Sequence, residues 1–248
     1  MKNIIFKNKT ENLVEPSFEE GVIIKLDGLN RSFGKKHVLK NINLSFRSNR
    51  IYALVGNNGV GKTTMLKIIS GLLAASSGKV EVKKGVSLGA LIENPGIFTD
   101  MSAHENLKAK SLFLGLKNQK EEIASLLELV GLSDVGKLRT GKFSMGMKQR
   151  LGIALALIGD PDVVILDEPT NSLDPQGIID VRNIITKLCY EKNKTIIVSS
   201  HNLEELKKIA TDIVVLNKGE VIRDCTSEEF KAECGDIPID EYFVNLCV

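Results

Sequence analysis

Apolar positions begin to recur at Val22, and from there the chain reads as strands. Residues 22–26 form a short apolar run, and Ile42, Leu44 and Phe46 fall on alternate positions, the period of a half-buried strand. Residues 50–55 make a further run that ends in a glycine-rich turn. The period then changes. Residues 62–70 read as a helix, with Met65, Ile68, Ile69 and Leu72 on one face. Ser76, Ser77 and Gly78 break the chain before a strand at 79–82. From 98 to 141 the pattern is helical. Ser102 and Glu105 stand at capping-box spacing, and Ile123, Leu126, Leu127 and Val130 mark a second apolar face. Beyond 141 the expected order is helix (146–158), buried strand (163–166), helix (176–192), strand (195–199) and helix (203–210). Runs at 213–216 and 221–223, joined across Lys218 and Gly219, predict a terminal hairpin. Such alternation predicts an α/β fold with a mainly parallel sheet covered by helices. Residues 1–20 are polar and interrupted by Pro16, and read as an N-terminal extension.

Composition narrows the class. At 248 residues with 43% hydrophobic and 26% charged side chains, wholesale disorder is excluded. A chain of this size buries roughly 70–75% of its unfolded surface without staples. The longest apolar stretch, 151–158, is interrupted by a glycine and falls far short of the ~20 residues of a spanning helix. Lys7 and Lys9 follow Ile4, Ile5 and Phe6 at once and leave no signal-peptide core, so the expected location is the cytoplasm. A net charge of +2 does not read as a nucleic-acid binder. Basic side chains outnumber acidic ones in residues 1–100, and the balance reverses after 200. That asymmetry fits either a solvated surface or an anionic ligand held by the first part of the chain. Cys189, Cys225, Cys234 and Cys247 show no C-x-x-C pair and no metal-type spacing, which fits small apolar packing or free thiols in a reducing compartment.

The sharpest chemical signal is G-N-N-G-V-G-K-T, from Gly56 through Asn57, Asn58, Gly59, Val60 and Gly61 to Lys62 and Thr63, followed by Thr64. It matches G-x-x-x-x-G-K-[ST] and lies between an expected buried strand and an expected amphipathic helix, where a phosphate loop must lie. The glycines let successive backbone N–H groups turn inward toward an anion. The following helix adds its positive end. Lys62 suits the β- and γ-phosphates, and the Thr63 hydroxyl suits Mg²⁺. Four apolar residues then lead into Asp167 and Glu168. A buried strand ending so sets both carboxylates at the carboxyl edge of a parallel sheet, where open α/β sheets bind ligands. Asp167 suits Mg²⁺ through water, and Glu168 suits a general base for an attacking water. A GTPase would need N-K-x-D; Asn217-Lys218-Gly219-Glu220 comes close but reads as the hairpin turn.

With these in place, F-S-M-G-M-K-Q-R at 143–150 resembles the signature motif of ATP-binding cassette (ABC) ATPases, whose usual core is L-S-G-G-Q. Ser144 and Gly146 remain, while Phe143, Met145 and Met147 depart from it. On physical grounds alone Ser144 caps a helix whose N-terminus can face an anion. Phe33 resembles the family's adenine-stacking aromatic, residues 171–174 its D-loop, and His201 its switch histidine at the γ-phosphate. Glu93 stands where the family usually has Gln at the core–helical junction; either side chain offers Mg²⁺ an oxygen. Glu93 and the 143–150 string resemble the ATPase subunits of bacterial exporters for antimicrobial peptides, of the lantibiotic and bacitracin self-protection type.

The resemblance implies a P-loop NTPase core with an N-terminal antiparallel β subdomain and an inserted helical subdomain at about 94–158. It implies an ATPase domain at 21–230, flanked by the extension at 1–20 and a C-terminal tail at 231–248. Implied cofactors are ATP and Mg²⁺. Implied partners are a separate transmembrane permease and a second ATPase subunit, head to tail, with ATP between Gly56–Thr63 of one copy and Ser144, Gly146 and Met147 of the other. No direct nucleic-acid contact is implied. The expected place is the inner face of the cell membrane, through the permease. A soluble ABC ATPase acting in macromolecular assembly is the alternative. A repair-type ATPase is disfavoured because 64–143 is too short for a long coiled coil, and a nucleotide kinase leaves Ser144 and His201 unexplained.

Overall fold

A computed structural model describes residues 18–117 and 119–247. Residues 1–17 of the expected extension lie outside the described residues, as does Val248. In chain order, β1 (Val22–Phe33) and β2 (Lys36–Arg47) lead to β3 (Ile51–Val55), α1 (Lys62–Ile69) and β4 (Ser77–Val82). β5 (Leu88–Leu91) precedes the helices α2 (Ala103–Phe113), α3 (Gln119–Leu129) and α4 (Met145–Leu157). Then come β6 (Val163–Asp167), α5 (Pro175–Tyr190), β7 (Thr195–Ser200) and α6 (Leu203–Leu206). β8 (Asp212–Asn217), β9 (Glu220–Thr226), α7 (Ser227–Cys234) and α8 (Ile239–Leu246) follow.

Two sheets result. β2-β1-β4 is antiparallel. The larger sheet has the order β5-β6-β7-β3-β8-β9 and is parallel except for β9, which returns antiparallel along β8. The central strands are apolar on both faces because both faces are covered. Val164 and Leu166 of β6, Ile196 and Val198 of β7, and Ile51, Ala53 and Val55 of β3 enter one core cluster with α4 and α5. The alternate residues Val163, Ile165, Ile197, Tyr52 and Leu54 enter a second, with α1 and the antiparallel sheet. Period-two alternation thus divides each strand between two cores. Tyr52 meets Phe46 edge to face at 4.9 Å, and burial pushes its phenol up to about 12.

The helical insertion holds α2, α3 and α4, linked by short 3₁₀ turns at Ser133–Val135 and Thr140–Lys142. Ser102 and Glu105 form the expected capping box on α2. The strand β5 was not expected: four residues containing Gly89 and Ala90 carry too little periodicity. The glycine is needed there, since a Cβ on Gly89 would stand 2.0 Å from the Ala156 carbonyl oxygen of α4. α1 ends at Ile69, so Leu72 does not continue its apolar face and is exposed. The helix expected at 203–210 stops at Leu206. Lys218 and Gly219, with φ of 49° and 85°, form the tight turn between β8 and β9. Residues 231–248, expected as a tail, contain α8. Ile239 and Phe243 of α8 join the first core cluster beside Phe230 and Cys234 of α7, so the described part of this segment is packed.

Candidate active site

β3, β6 and β7 run in register, Val55 opposite Ser200 and Asp167 opposite Ser199, so the segments that follow them emerge at one sheet edge. The turn after β3 curls into α1. Gly61 sits at φ 115°, and a Cβ there would meet Leu39 Cδ2 at 2.8 Å and the Val38 carbonyl oxygen at 3.1 Å. Only glycine fits both the conformation and the space. As N-cap it offers α1 no side chain, which leaves the first helical amides to a ligand of opposite charge.

Lys62 is buried and folds across this loop. Its Nζ donates to the Gly56 carbonyl at 2.7 Å and the Asn57 carbonyl at 3.3 Å, and stands 3.4 Å from Glu168 Oε1. Thr63 Oγ1 donates to Asp167 Oδ2 at 2.8 Å, which joins the loop to the acidic pair. Asp167 Oδ1 accepts from Ser199 Oγ at 2.7 Å, and Ser199 Oγ in turn accepts the Glu168 N–H at 2.9 Å. Glu168 has a left-handed backbone, φ 48°. That turn sends its side chain out of line with the strand, to where Glu168 Oε2 and His201 Nδ1 share a hydrogen bond at 2.8 Å. Glu168 therefore lies between an ammonium and an imidazole.

These groups line a cavity of about 480 Å³. Of the expected residues, Asn58, Gly59, Gly61, Lys62, Thr63 and Thr64 line it from the loop, with Glu168 and His201 opposite. Gly56 and Asn57 form the loop's entry and hold Lys62 through their carbonyls, while Val60 packs against the second core. Asp167 lies buried behind Thr63. Phe33 is half-exposed at the end of β1, directly across from Lys36, and the Arg31 guanidinium covers its ring at 4.4 Å. Glu93 is exposed and bound by Lys67 at 2.6 Å. Ser144 caps α4 by accepting the Met147 N–H at 3.2 Å. A Cβ on Gly146 would find only Leu173 Cδ2, at 4.0 Å, and Met147 leans on the first core. Phe33, Glu93, Ser144, Gly146 and Met147 do not line the cavity.

Asn171, from the expected D-loop, lines it too; Lys36 and Val38 line it without having been singled out, and Ser199 ties the Asp167 carboxylate to the Glu168 backbone N–H. Lys36 and Val38 share a face of β2 at a spacing of two. Only the long-range return of β2 over Gly61 brings them there, so no local pattern marks them. Ser199 did carry a signal: it is a hydroxyl ending an apolar strand, fully buried, and such a group needs partners.

A family model described as ABC transporter matches residues 39–171. The bacitracin transport ATP-binding protein BcrA of Bacillus licheniformis is 37% identical over 219 residues, covering 84% of this chain and 71% of the relative. The lantibiotic transport ATP-binding protein SrtF of Streptococcus pyogenes is 39% identical over 233 residues, covering 90% of this chain and 96% of the relative. Among solved structures, cbiO1 of Clostridium perfringens, part of the ABC transporter complex cbiONQ, superposes with a TM-score of 0.77. It is 25% identical and covers 91% of this chain and all of that one.

Proposed function

The chain belongs to the ABC transporter family, and from that premise we propose that it is the ATP-binding and ATP-hydrolysing subunit of an exporter. The observation that carries the reading is Glu168, a carboxylate set between Lys62 and His201 on the wall of a phosphate-loop cavity. The loop and the start of α1 hold the triphosphate, and Lys62 turns from the Gly56 carbonyl toward the β- and γ-phosphates. Glu168 takes a proton from a water as its oxygen bonds to the γ-phosphorus. The bond to the β–γ bridging oxygen breaks, its electron pair leaves with ADP, and phosphate is released. His201, one contact away, holds Glu168 in place and meets the γ-phosphate.

The residues present fit Mg²⁺. Thr63 Oγ1 and Asp167 Oδ2 are hard oxygen donors 2.8 Å apart. Among the described residues no group of three or more His, Cys, Asp or Glu side chains gathers around one point; phosphate oxygens and water would supply the remaining ligands of a bound ion. When bound, the ion neutralises charge on the β- and γ-phosphates. Glu93 is the third proposed ligand.

Ser144, Gly146 and Met147 lie off the cavity at the start of α4. Two copies facing head to tail supply these residues in trans, with the amides of α4 toward the γ-phosphate. Phe33 stacks on adenine from the hairpin end beside Lys36. The permease is a separate subunit and this chain works at its cytoplasmic side, a reading supported by relatives named as transport ATP-binding proteins; among the described residues no helix is long and apolar enough to cross a membrane. The cargo is an antimicrobial peptide of the kind for which BcrA and SrtF are named. The assembly ATPase is not favoured, because those relatives are named for transport.

The test is to reconstitute the subunit with the membrane protein encoded beside it and add bacitracin or a lantibiotic. Cargo of this class stimulates ATP hydrolysis. Indifference to every peptide rejects the cargo, and failure to associate with the membrane subunit rejects transport.

A further inference from the structure

β5 and β6 run parallel with Leu91 opposite Leu166, so Glu93 emerges at the sheet edge that carries Asp167 and Glu168. Its backbone is left-handed, φ 61°, a conformation that a residue with a Cβ adopts only when its surroundings hold it there. A carboxylate at this edge adds negative charge where a triphosphate is to bind. Lys67 answers that charge, with Nζ 2.6 Å from Glu93 Oε1. Lys67 follows Thr63 by four residues in α1, so the two side chains share a face of the helix. Helical side chains lean toward the preceding turn. The ammonium that grips Glu93 therefore stands one turn from the hydroxyl assigned to Mg²⁺.

We infer that Lys67 is a positioning residue for Glu93: it holds the carboxylate in the nucleotide-free subunit, offsets its charge, and competes with Mg²⁺ for it. The inference rests on the ATPase reading and on the side chains of this chain alone. Replacing Lys67 releases Glu93 to the cation, so less Mg²⁺ is needed to bind nucleotide. The pair is partly exposed, 31% and 61%, and exposed pairs are weak, so the expected effect is about two- to fivefold.

The experiment measures calorimetric binding of a non-hydrolysable ATP analogue to the full chain across a Mg²⁺ titration. Lys67→Met is made in the native and in the Glu93→Gln backgrounds. The expected result is a two- to fivefold lower half-saturating Mg²⁺ for Lys67→Met, and no shift when Glu93 is already Gln. Equal shifts in both backgrounds, or none in either, overturn the inference. Melting of the same four proteins without nucleotide tests the pair itself, and absence of coupling overturns it. Failure of the unmodified chain to bind the analogue at any Mg²⁺ concentration overturns the ATPase reading instead, while the melting cycle still reports on the pair.

Discussion

Ser199→Ala removes one oxygen and strands two groups. Ser199 Oγ donates to Asp167 Oδ1 at 2.7 Å and accepts the Glu168 N–H at 2.9 Å, and the side chain is fully buried. Each buried polar group left without a partner costs about 1–3 kcal/mol, more for a charged one. The two together give roughly 2–5 kcal/mol, with water entering from the cavity drawing the value toward the lower end. For a chain of this size each kcal/mol lowers Tm by about 2–4 °C, so the melting point falls by about 4–20 °C. Asp167 also loses one of its two anchors and the backbone of Glu168 loses its own, so hydrolysis falls at least tenfold while the phosphate loop still binds nucleotide. The assay is thermal unfolding by circular dichroism, followed by steady-state turnover. Ser200→Ala is the control. Ser200 is also buried, but among the described residues its hydroxyl has one partner, the Asn202 N–H at 2.9 Å, so its loss costs about 1–2 kcal/mol and spares turnover. A Ser199→Ala protein within about 0.5 kcal/mol of the parent, or no worse than Ser200→Ala, refutes the two-bond account.

Gly89→Ala drives a methyl to 2.0 Å from the Ala156 carbonyl oxygen and 2.8 Å from Pro161 Cγ; backbone cannot yield as a side chain can, so the cost is about 3 kcal/mol. Melting within about 2 °C of the parent rejects that packing. Asp162 carries a pH signature. Desolvation pushes its carboxyl up, but the Ser87 N–H and hydroxyl and the Lys194 charge outweigh it and hold it below its ordinary value. Its contribution is therefore present above the unfolded pKa of about 3.9 and lost as pH falls through the lower folded value. Asp162→Asn should cost a few tenths to about 1 kcal/mol at neutral pH, discounted for its exposure. Denaturant titrations should show the two proteins converging toward pH 3, and a gap that stays constant from pH 7 to pH 3 contradicts the assignment.

What the sequence made legible was local. The loop from Gly56 to Thr63 announces itself because glycine, lysine and threonine must stand in that order next to a strand and a helix, and Asp167 and Glu168 because carboxylates end an apolar run. The fold class followed from alternating strands and helices. What stayed hidden depends on contacts between distant segments. Lys36 and Val38 reach the cavity only because β2 crosses Gly61. β5 exists because Leu88 to Leu91 finds β6 as a partner, not because four residues favour a strand. The apolar residues Ile239 and Phe243 of α8 acquire their role only through Phe230 and Cys234 of α7, which lie beside them in the core. Glu93 was visible as a substitution, but its ion pair with Lys67 joins positions far apart in the chain.

In the proposed mechanism Glu168 drives ATP hydrolysis in a site completed by a second copy. Glu168→Gln keeps the shape of the side chain but cannot accept the proton, and losing a general base costs about 10²–10⁴-fold in turnover. Sedimentation velocity of that variant, with and without Mg·ATP, tests both halves of the claim at once when turnover is recorded on the same sample. The expected result is a monomer without nucleotide, a stable dimer with it, and turnover reduced by at least a hundredfold. A Glu168→Gln protein that stays monomeric with ATP, or that hydrolyses it at the parental rate, contradicts it.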